Sequence, residues 1–456
     1  MHSRLFLAVL FLGFIALVST SPISVQKRSF KVERRANPDF TGNDGLKALG
    51  KAYRKFGMEM PQNLKDALAA RNTAVAARRA VAAAAALEAT RKKSRRSLLD
   101  ILGELFGGDD NGDDSGSANG PAYQPASGQV GSVTNTPEGN DVEFLSPVKI
   151  GGQTLNLDFD TGSSDLWVFS TQMSPQLTAG HALFDPTKST TFREIRGAQF
   201  LVQYGDGSGA EGIVGTDVVD VGGAVFNAQA VEIATAVTQQ FVNDQQNDGL
   251  LGLAFSKLNT VLPQQQKTFF DNVQGSLAEP VFTADLKKGA PGTYAFGEID
   301  ASAFQGALTW VSVNDAQGFW QFSSESFAVD GGQPQKATAG GQAIADTGTT
   351  LLLADPVIVQ GYYSQVQGAQ DDQQVGGFTI PCDAKLPDLD LDVGGNYMAR
   401  ISGADLNFSQ VSGNTCFGGL QATAEGGLGV YGDIFFKSQF VAFNIGNKTL
   451  GLAPHA

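Results

Sequence analysis

From about Ala126 to the C-terminus, apolar residues come in short runs that alternate with polar ones. Val148-Lys149-Ile150 and Thr154-Leu155-Asn156-Leu157-Asp158-Phe159 are examples. A period of two sends successive side chains to opposite faces of a strand. Gly-Gly, Asp-Gly and Asn-Asp pairs separate the runs and supply turns. The pattern predicts an all-β body over about 330 residues. Its helical candidates are short: Val261 to Gln274, and Asp355 to Val366. The chain before Ala126 has a different texture. Arg4 precedes an apolar run from Leu5 to Val18, and Ser19, Thr20 and Ser21 follow it. The run is short for a bilayer span and reads as a secretory signal peptide over 1–20, cleaved near Thr20. Leu64 to Thr90 is Ala-rich and predicts a helix. Gly103 to Gly120 is Gly, Asp, Asn and Ser, with Asp109, Asp110, Asp113 and Asp114, and reads as a self-repelling linker.

An internal repeat stands out within the β body. Phe159-Asp160-Thr161-Gly162-Ser163-Ser164 follows one apolar strand, and Ala345-Asp346-Thr347-Gly348-Thr349-Thr350 follows another. Each is succeeded by an apolar run, Leu166 to Phe169 and Leu351 to Leu353, and later by an apolar pair before Gly, at Leu250-Leu251-Gly252 and Val430-Tyr431-Gly432. Two halves in the same order imply a duplicated unit with a pseudo-twofold axis, which would bring the two Asp-Thr-Gly loops together. Two carboxyl groups within hydrogen-bond distance cannot both ionise easily, so the pair shares a proton. One can then deprotonate a water while the other protonates a carbonyl oxygen. Glycine allows close backbone approach, and the hydroxyl three residues after each Asp can orient its carboxyl. A single Asp-Thr-Gly is a common turn; two at matching places are a chemical constellation.

Composition narrows the alternatives. The 456 residues contain three histidines, His2, His181 and His455, none close to another, and two cysteines. A histidine-rich metal site, a Ser-His-Asp triad and a multi-cysteine zinc module all find little to work with. The net charge of -14 averages two opposed bodies. Ser21 to Ser97 holds 18 Lys and Arg against 6 Asp and Glu, or +12, whereas Leu98 onward holds 13 against 40, or -27. A basic arm on an acidic body is compatible with nucleic-acid binding or with an intramolecular cover. The signal peptide and the -27 body argue against nucleic acid.

The two loops resemble those of the pepsin-like aspartic proteases, most closely the secreted fungal branch. The resemblance spans about Ala126 to Ala456. It includes Tyr204-Gly205-Asp206-Gly207-Ser208, similar to the family's flap hairpin. It also takes in Asn247 to Phe255, and Gly432-Asp433-Ile434-Phe435 through Gly451-Leu452-Ala453-Pro454, with Val430-Tyr431 where the family more often has Ile-Leu. The resemblance implies a bilobal fold of two related β-barrel-like lobes, 126–305 and 306–456, and a metal-free, cofactor-free endopeptidase working at acidic pH. It implies Asp160 and Asp346 as the catalytic dyad, with Thr161, Gly162, Ser163, Thr347, Gly348 and Thr349 in support. Tyr204, Gly205 and Asp206 would form the flap, with Trp167 as the tyrosine's indole partner. Phe241 and Leu250 match a pocket for a large apolar P1 residue, or alternatively core positions. Asp158, two residues before Asp160 and on the same strand face, is with Asp206 a candidate for accepting Lys at P1.

The resemblance further implies one disulfide, Cys382 to Cys416. Asn407-Phe408-Ser409 and Asn447-Lys448-Thr449 are glycosylation acceptors by pattern. Family members are made as zymogens, so 21–125 reads as a basic prosegment and acidic linker. Lys51-Ala52-Tyr53-Arg54-Lys55-Phe56-Gly57 is similar to the family's inhibitory Lys-Tyr motif, with Phe56 in place of Tyr. Lys55 is then the candidate ammonium between the aspartates, and Lys51 the alternative. Dibasic pairs occur at Lys27-Arg28, Arg34-Arg35, Arg78-Arg79 and Arg95-Arg96, and maturation is expected by self-cleavage near Ala126 or by another protease after Arg96. The expected partners are protein and peptide substrates, the chain's own prosegment and pepstatin-type inhibitors, with no nucleic acid and no membrane. The expected state is a secreted monomer rather than a vacuolar protein. An inactive relative that only binds peptide would be expected to lack an Asp or the flap tyrosine, and this chain keeps all three.

Overall fold

The computed structural model describes residues 44–73, 127–138, 141–204 and 208–456, all within one compact unit, Thr41–Ala456. The signal segment, the four dibasic pairs, the Gly103–Gly120 linker, Ala126, Gly205 and Asp206 lie outside the described residues. The body is mostly strand, with a few short helices, as its alternating pattern predicts. Strand Glu143–Ile150 turns through Gly151 and Gly152, at φ 52° and 83°, into Gln153–Asp160, which ends at the first aspartate. Those left-handed angles are open to glycine at little cost.

Both copies of the repeat have the same topology. Gln153–Asp160 pairs in parallel with Gly249–Gly252, in the register Asp158 to Leu250 and Asp160 to Gly252. Gly249–Gly252 in turn pairs antiparallel with Leu166–Val168. In the second half, Gln342–Ala345 pairs in parallel with Gly429–Tyr431, which pairs antiparallel with Leu352–Ala354. Each late strand thus inserts between the two arms of an Asp-Thr-Gly loop. It is buried on both faces, so its residues form a continuous apolar run instead of alternating. The repeated glycine after that run has a steric cause. A Cβ on Gly252 would meet the backbone of Ser164 and Asp165, and one on Gly432 would overlap the Thr349 carbonyl.

One sheet ties the halves together. Its order begins Thr309–Ser312, Thr449–Pro454, Gln439–Asn444, Val281–Lys287, Ala290–Phe296, Gly131–Glu138, and continues into the strands that carry Asp160. The chain's last two strands therefore join strands from its first half. Phe443 stacks on Phe282 with ring centroids 4.4 Å apart, and Trp320 meets Phe443 edge-on at 5.2 Å. All three rings are buried. Cys382 and Cys416 form a disulfide beside this body, with Cα atoms 4.9 Å apart.

The helical expectations fare unequally. Pro356–Tyr363 is helical and is capped by Asp355, whose Oδ1 accepts from Val357 N at 2.7 Å. The Ala-rich helix is present over 62–73, and the rest of that stretch lies outside the described residues. Val261 to Gln274 needs correction: only Phe269–Val273 is helical. Pro263 lacks an N–H and disfavours the helical conformation at Leu262. Leu262 instead exchanges both backbone hydrogen bonds with Gln199, at 3.0 and 2.9 Å. No described helix is long and apolar enough to cross a membrane.

Phe443→Ala should leave a cavity at the seam between the halves. We expect a loss of about 3–5 kcal/mol, read as a lower urea midpoint at pH 4.

Candidate active site

The two Asp-Thr-Gly loops meet back to back. Thr161 Oγ1 donates to the Ala345 carbonyl at 2.9 Å, and Thr347 Oγ1 donates to the Phe159 carbonyl. In the reverse sense, Thr347 N donates to Thr161 Oγ1 at 2.9 Å and Thr161 N to Thr347 Oγ1 at 3.2 Å. This interlock uses one threonine from each copy, so neither loop is set without the other. Each carboxyl is then oriented by its own loop. Asp160 accepts from Gly162 N at 2.8 Å and Ser163 Oγ at 2.6 Å. Asp346 accepts from Gly348 N at 3.0 Å and from Thr349 Oγ1. A Cβ on Gly162 would overlap the Asp346 carboxyl, and one on Gly348 that of Asp160. Glycine is required at both places by the approach of the opposite acid.

Lys55, the last residue of helix Gly45–Lys55, reaches the same point. Its Nζ lies 2.8 Å from Asp160 Oδ1 and 2.9 Å from Asp346 Oδ2, and its side chain is only 5% exposed. Burial alone would push the ammonium down; the charges of Asp160 and Asp346 outweigh it and hold Lys55 above its ordinary range. The acids divide. Burial pushes Asp160 up, but Lys55 and the hydrogen bonds from Asp346, Lys55 and Ser163 bring it down to about 2. Burial, with the charge of Asp160, keeps Asp346 raised despite Lys55. The two acids are therefore unequal, Asp160 being the more readily ionised of the pair. The charge of Lys51 bears on Glu143, Asp158 and Asp433. Phe56 meets Phe319 edge-on at 5.7 Å.

Tyr204 and Trp167 come together, with Trp167 Nε1 donating to the Tyr204 hydroxyl at 2.9 Å. Phe241 lies edge-on to both, at 4.8 Å from Trp167 and 5.8 Å from Tyr204, and Leu250 belongs to the same buried cluster. Phe241 and Leu250 thus pack around the tyrosine-indole pair. Asp158 is buried next to Leu250, and burial raises it to about 7. Asn447 is exposed in the last hairpin, its Oδ1 accepting from Thr449 Oγ1 at 2.6 Å. Asn407 is half-buried, with Nδ2 donating to the Cys382 carbonyl at 2.8 Å.

A second acid pair beneath the first loop was not anticipated. Asp165 Oδ1 accepts from Thr260 N at 2.8 Å and Asn259 Nδ2 at 2.9 Å, and Glu232 Oε1 accepts from the same amide at 3.0 Å. Glu232 Oε2 meets no N–H or hydroxyl donor, and a proton held between the two acids satisfies both. Burial lifts Asp165 to about 6 and Glu232 well above the usual carboxyl range. Asp165 stands just after the repeated motif and was legible by position. Glu232 and Asn259 lie far along the chain, in segments without a motif.

Two interlocked loops presenting two buried carboxyls to one point define an aspartic-type site. Comparison with known proteins agrees. The family model for eukaryotic aspartyl proteases matches residues 143–455. The chain is 43% identical over 449 residues to aspartic protease PEP3 of Coccidioides posadasii, covering 96% of this chain and 93% of that one. It is 48% identical to penicillopepsin-2 of Penicillium janthinellum and 49% to aspergillopepsin-1 of Aspergillus fumigatus. Each match runs over 333 residues, 73% of this chain and 83% of the relative. The chain belongs to the eukaryotic aspartyl protease family and is an aspartic-type endopeptidase, a hydrolase whose substrates are proteins and peptides.

The Asp165–Glu232 pair has a pH consequence. Both acids have folded pKa values above their unfolded ones, so the folded state binds more protons between pH 4 and 6 and loses stability as pH rises through that window. Asp165→Asn keeps an acceptor for Thr260 and supplies a donor to Glu232. The fall in urea midpoint from pH 4 to 7 should be shallower in this variant than in the wild type.

Proposed function

We propose that the chain is a secreted zymogen that, once converted, hydrolyses internal peptide bonds at acidic pH through Asp160 and Asp346. The supporting observation is the Lys55 ammonium held between the two carboxyls at 2.8 and 2.9 Å. A cation there stabilises the charge of the pair and occupies the position where water and a scissile carbonyl would have to stand. In the open cleft, the ionised acid takes a proton from water as the water oxygen bonds to the carbonyl carbon. The protonated acid gives its proton to the carbonyl oxygen. The tetrahedral adduct then collapses with proton transfer to the leaving nitrogen. Thr161, Gly162, Ser163, Thr347, Gly348 and Thr349 hold the geometry. Tyr204, with Gly205, Asp206 and Trp167, serves as a lid that excludes water.

In this reading 1–20 is the signal peptide, 21–125 the prosegment with its linker, and 126–305 and 306–456 the two lobes. Large apolar residues at P1 and P1′ fit beside Phe241 and Leu250, and Asp158 or Asp206 accepts Lys at P1. The enzyme is a monomer, takes pepstatin-type inhibitors, and carries glycan on Asn447 more readily than on the hydrogen-bonded Asn407. Activation follows from the signs of the shifts. Asp160, depressed by Lys55, contributes stability above its unfolded pKa near 4 and loses it as pH falls toward 2. Acid thus removes the charge that retains the prosegment.

Proteolysis at pH 3 to 5 tests the reading. A pepstatin-type inhibitor should abolish it, and Asp160→Asn should lower kcat about 10³-fold or more; activity that survives both refutes the dyad. Lys55→Met should shorten the half-time of conversion on acidification about tenfold. An unchanged half-time would mean that the ammonium does not hold the prosegment down.

A further inference from the structure

One of the three histidines is built into the wall behind the flap tyrosine and takes no part in the hydrolytic steps. His181 is half-buried. Its Nδ1 lies 2.9 Å from the Asn247 carbonyl oxygen, and its Nε2 lies 3.4 Å from that of Val242. A carbonyl oxygen only accepts, so each ring nitrogen must carry a proton to bond. The neutral ring carries one such proton and the imidazolium carries two. Only the charged ring therefore makes both bonds. The ring also lies flat on Phe169, with centroids 3.8 Å apart and planes 10° from parallel. An aromatic face attracts a cation placed over it.

The segment that His181 holds carries a pocket residue. Phe241 sits in helix Gln239–Asn243, one residue before Val242, and lies edge-on to Trp167 and Tyr204. At its upstream end, Thr238 N donates to the Gly209 carbonyl at 3.0 Å, and Gly209 N donates to Thr238 Oγ1 at 3.1 Å. Gly209 opens the strand that returns from the flap, so that end is tied to the flap. The downstream end is tied to the turn that carries His181. Gly180, at φ 96°, brings this turn against Gln245, on which a Cβ there would press. Ala182 N donates to Asp248 Oδ1 at 2.7 Å. Phe169, beneath the imidazole, leans on Trp167 at 5.8 Å. One ring thus braces Phe241 through the backbone and Trp167 through Phe169.

We propose that His181, as an imidazolium, is a positioning residue for the apolar P1 pocket: it clamps the Val242 and Asn247 carbonyls and so fixes Phe241 against Trp167. This role rests on the cleft reading above and adds a residue outside the dyad, the flap and the pocket lining. Loss of one proton leaves one carbonyl without its donor and frees one end of the Phe241 segment. Histidine ordinarily changes charge between about pH 5 and 8, so the clamp is whole in acid and is lost as pH rises. The acids on the elements packed around the ring are Asp244 and Asp248 on the clamped segment, Glu143, which accepts from Asn247 Nδ2 at 2.6 Å, and Asp185 on the ring's own segment. Burial raises Asp248 to about 6, so it becomes an anion in the same range and then favours the imidazolium. Pocket and dyad thus share a requirement for acid through different groups.

The experiment uses the full chain converted at acid pH, with two fluorogenic peptides that differ only in Phe or Ala at P1. Titration of the dyad acts on both peptides and cancels in their ratio of kcat/KM. In the wild type, the Phe-to-Ala ratio should fall about fivefold from pH 4 to pH 6.5. His181→Phe keeps a ring on Phe169 but donates nothing. Its ratio should be about fivefold lower at pH 4 and flat with pH, with the loss in KM for the Phe peptide rather than in kcat. Should that variant fail to fold, His181→Asn, whose amide does not titrate, should show the same flat profile. A wild-type ratio flat with pH, or a variant that keeps the wild-type ratio and slope, overturns the clamp. A variant whose lowered ratio still falls with pH assigns the titration to another group and overturns it too. A wild type that cleaves neither peptide overturns the cleft reading itself.

Discussion

Two carboxyl groups buried against each other set the terms for the rest of this molecule. Asp160 and Asp346 are almost wholly shielded from water, and each sits where the other's loop must approach without a Cβ. Like charges so placed cannot both persist without a cation or a shared proton. The two glycines, the four hydroxyls of Thr161, Ser163, Thr347 and Thr349, and the interlocked backbones all answer that constraint. The halves are joined below by a continuous sheet and the Phe282–Phe443 stack, so the separation of the acids is held by the body as well as by the loops.

The same constraint gives the opposed charges of the two chain segments a local meaning. A +12 stretch and a -27 body attract at any distance that salt allows, yet such attraction is diffuse and sets no register. Register comes from one helix whose lysines are a turn apart. Lys55 neutralises the dyad and Lys51 the neighbouring acids, while Tyr53 anchors the helix through a 2.7 Å bond to the Ala422 carbonyl. Several buried acids of the body have pKa values raised toward neutrality, Asp158 and Asp165 among them, so acid leaves them protonated and uncharged in the core. A scarcity of histidine is consistent with chemistry resting on carboxyls alone.

Much of the site was legible because it is local and repeated. Asp-Thr-Gly-Ser and Asp-Thr-Gly-Thr carry both acids, their orienting hydroxyls and the close-approach glycines within four residues each. The later Leu250-Leu251-Gly252 and Val430-Tyr431-Gly432 mark the inserted strands. Strand alternation was equally plain in Thr154 to Phe159. The helix expected over Val261 to Gln274 was not correct in extent, because apolar spacing does not register that Leu262 finds a β partner in Gln199. Glu232 and Asn259 were not legible at all: each acts through a partner 94 or fewer residues away that no pattern links to it.

Residue type and local spacing by themselves determined the all-β body, the duplication, the chemistry of the paired acids and the basic character of the segment that precedes them. These depend on steric and electronic properties carried within a few residues. Tertiary structure alone decided that Lys55 enters the dyad, that Asp160 is the more readily ionised of the pair, and that Asp165 and Glu232 are buried around one amide, that of Asn259. Those outcomes turn on burial and on charges brought within a few ångströms from distant parts of the chain, where a low dielectric makes a small displacement decisive.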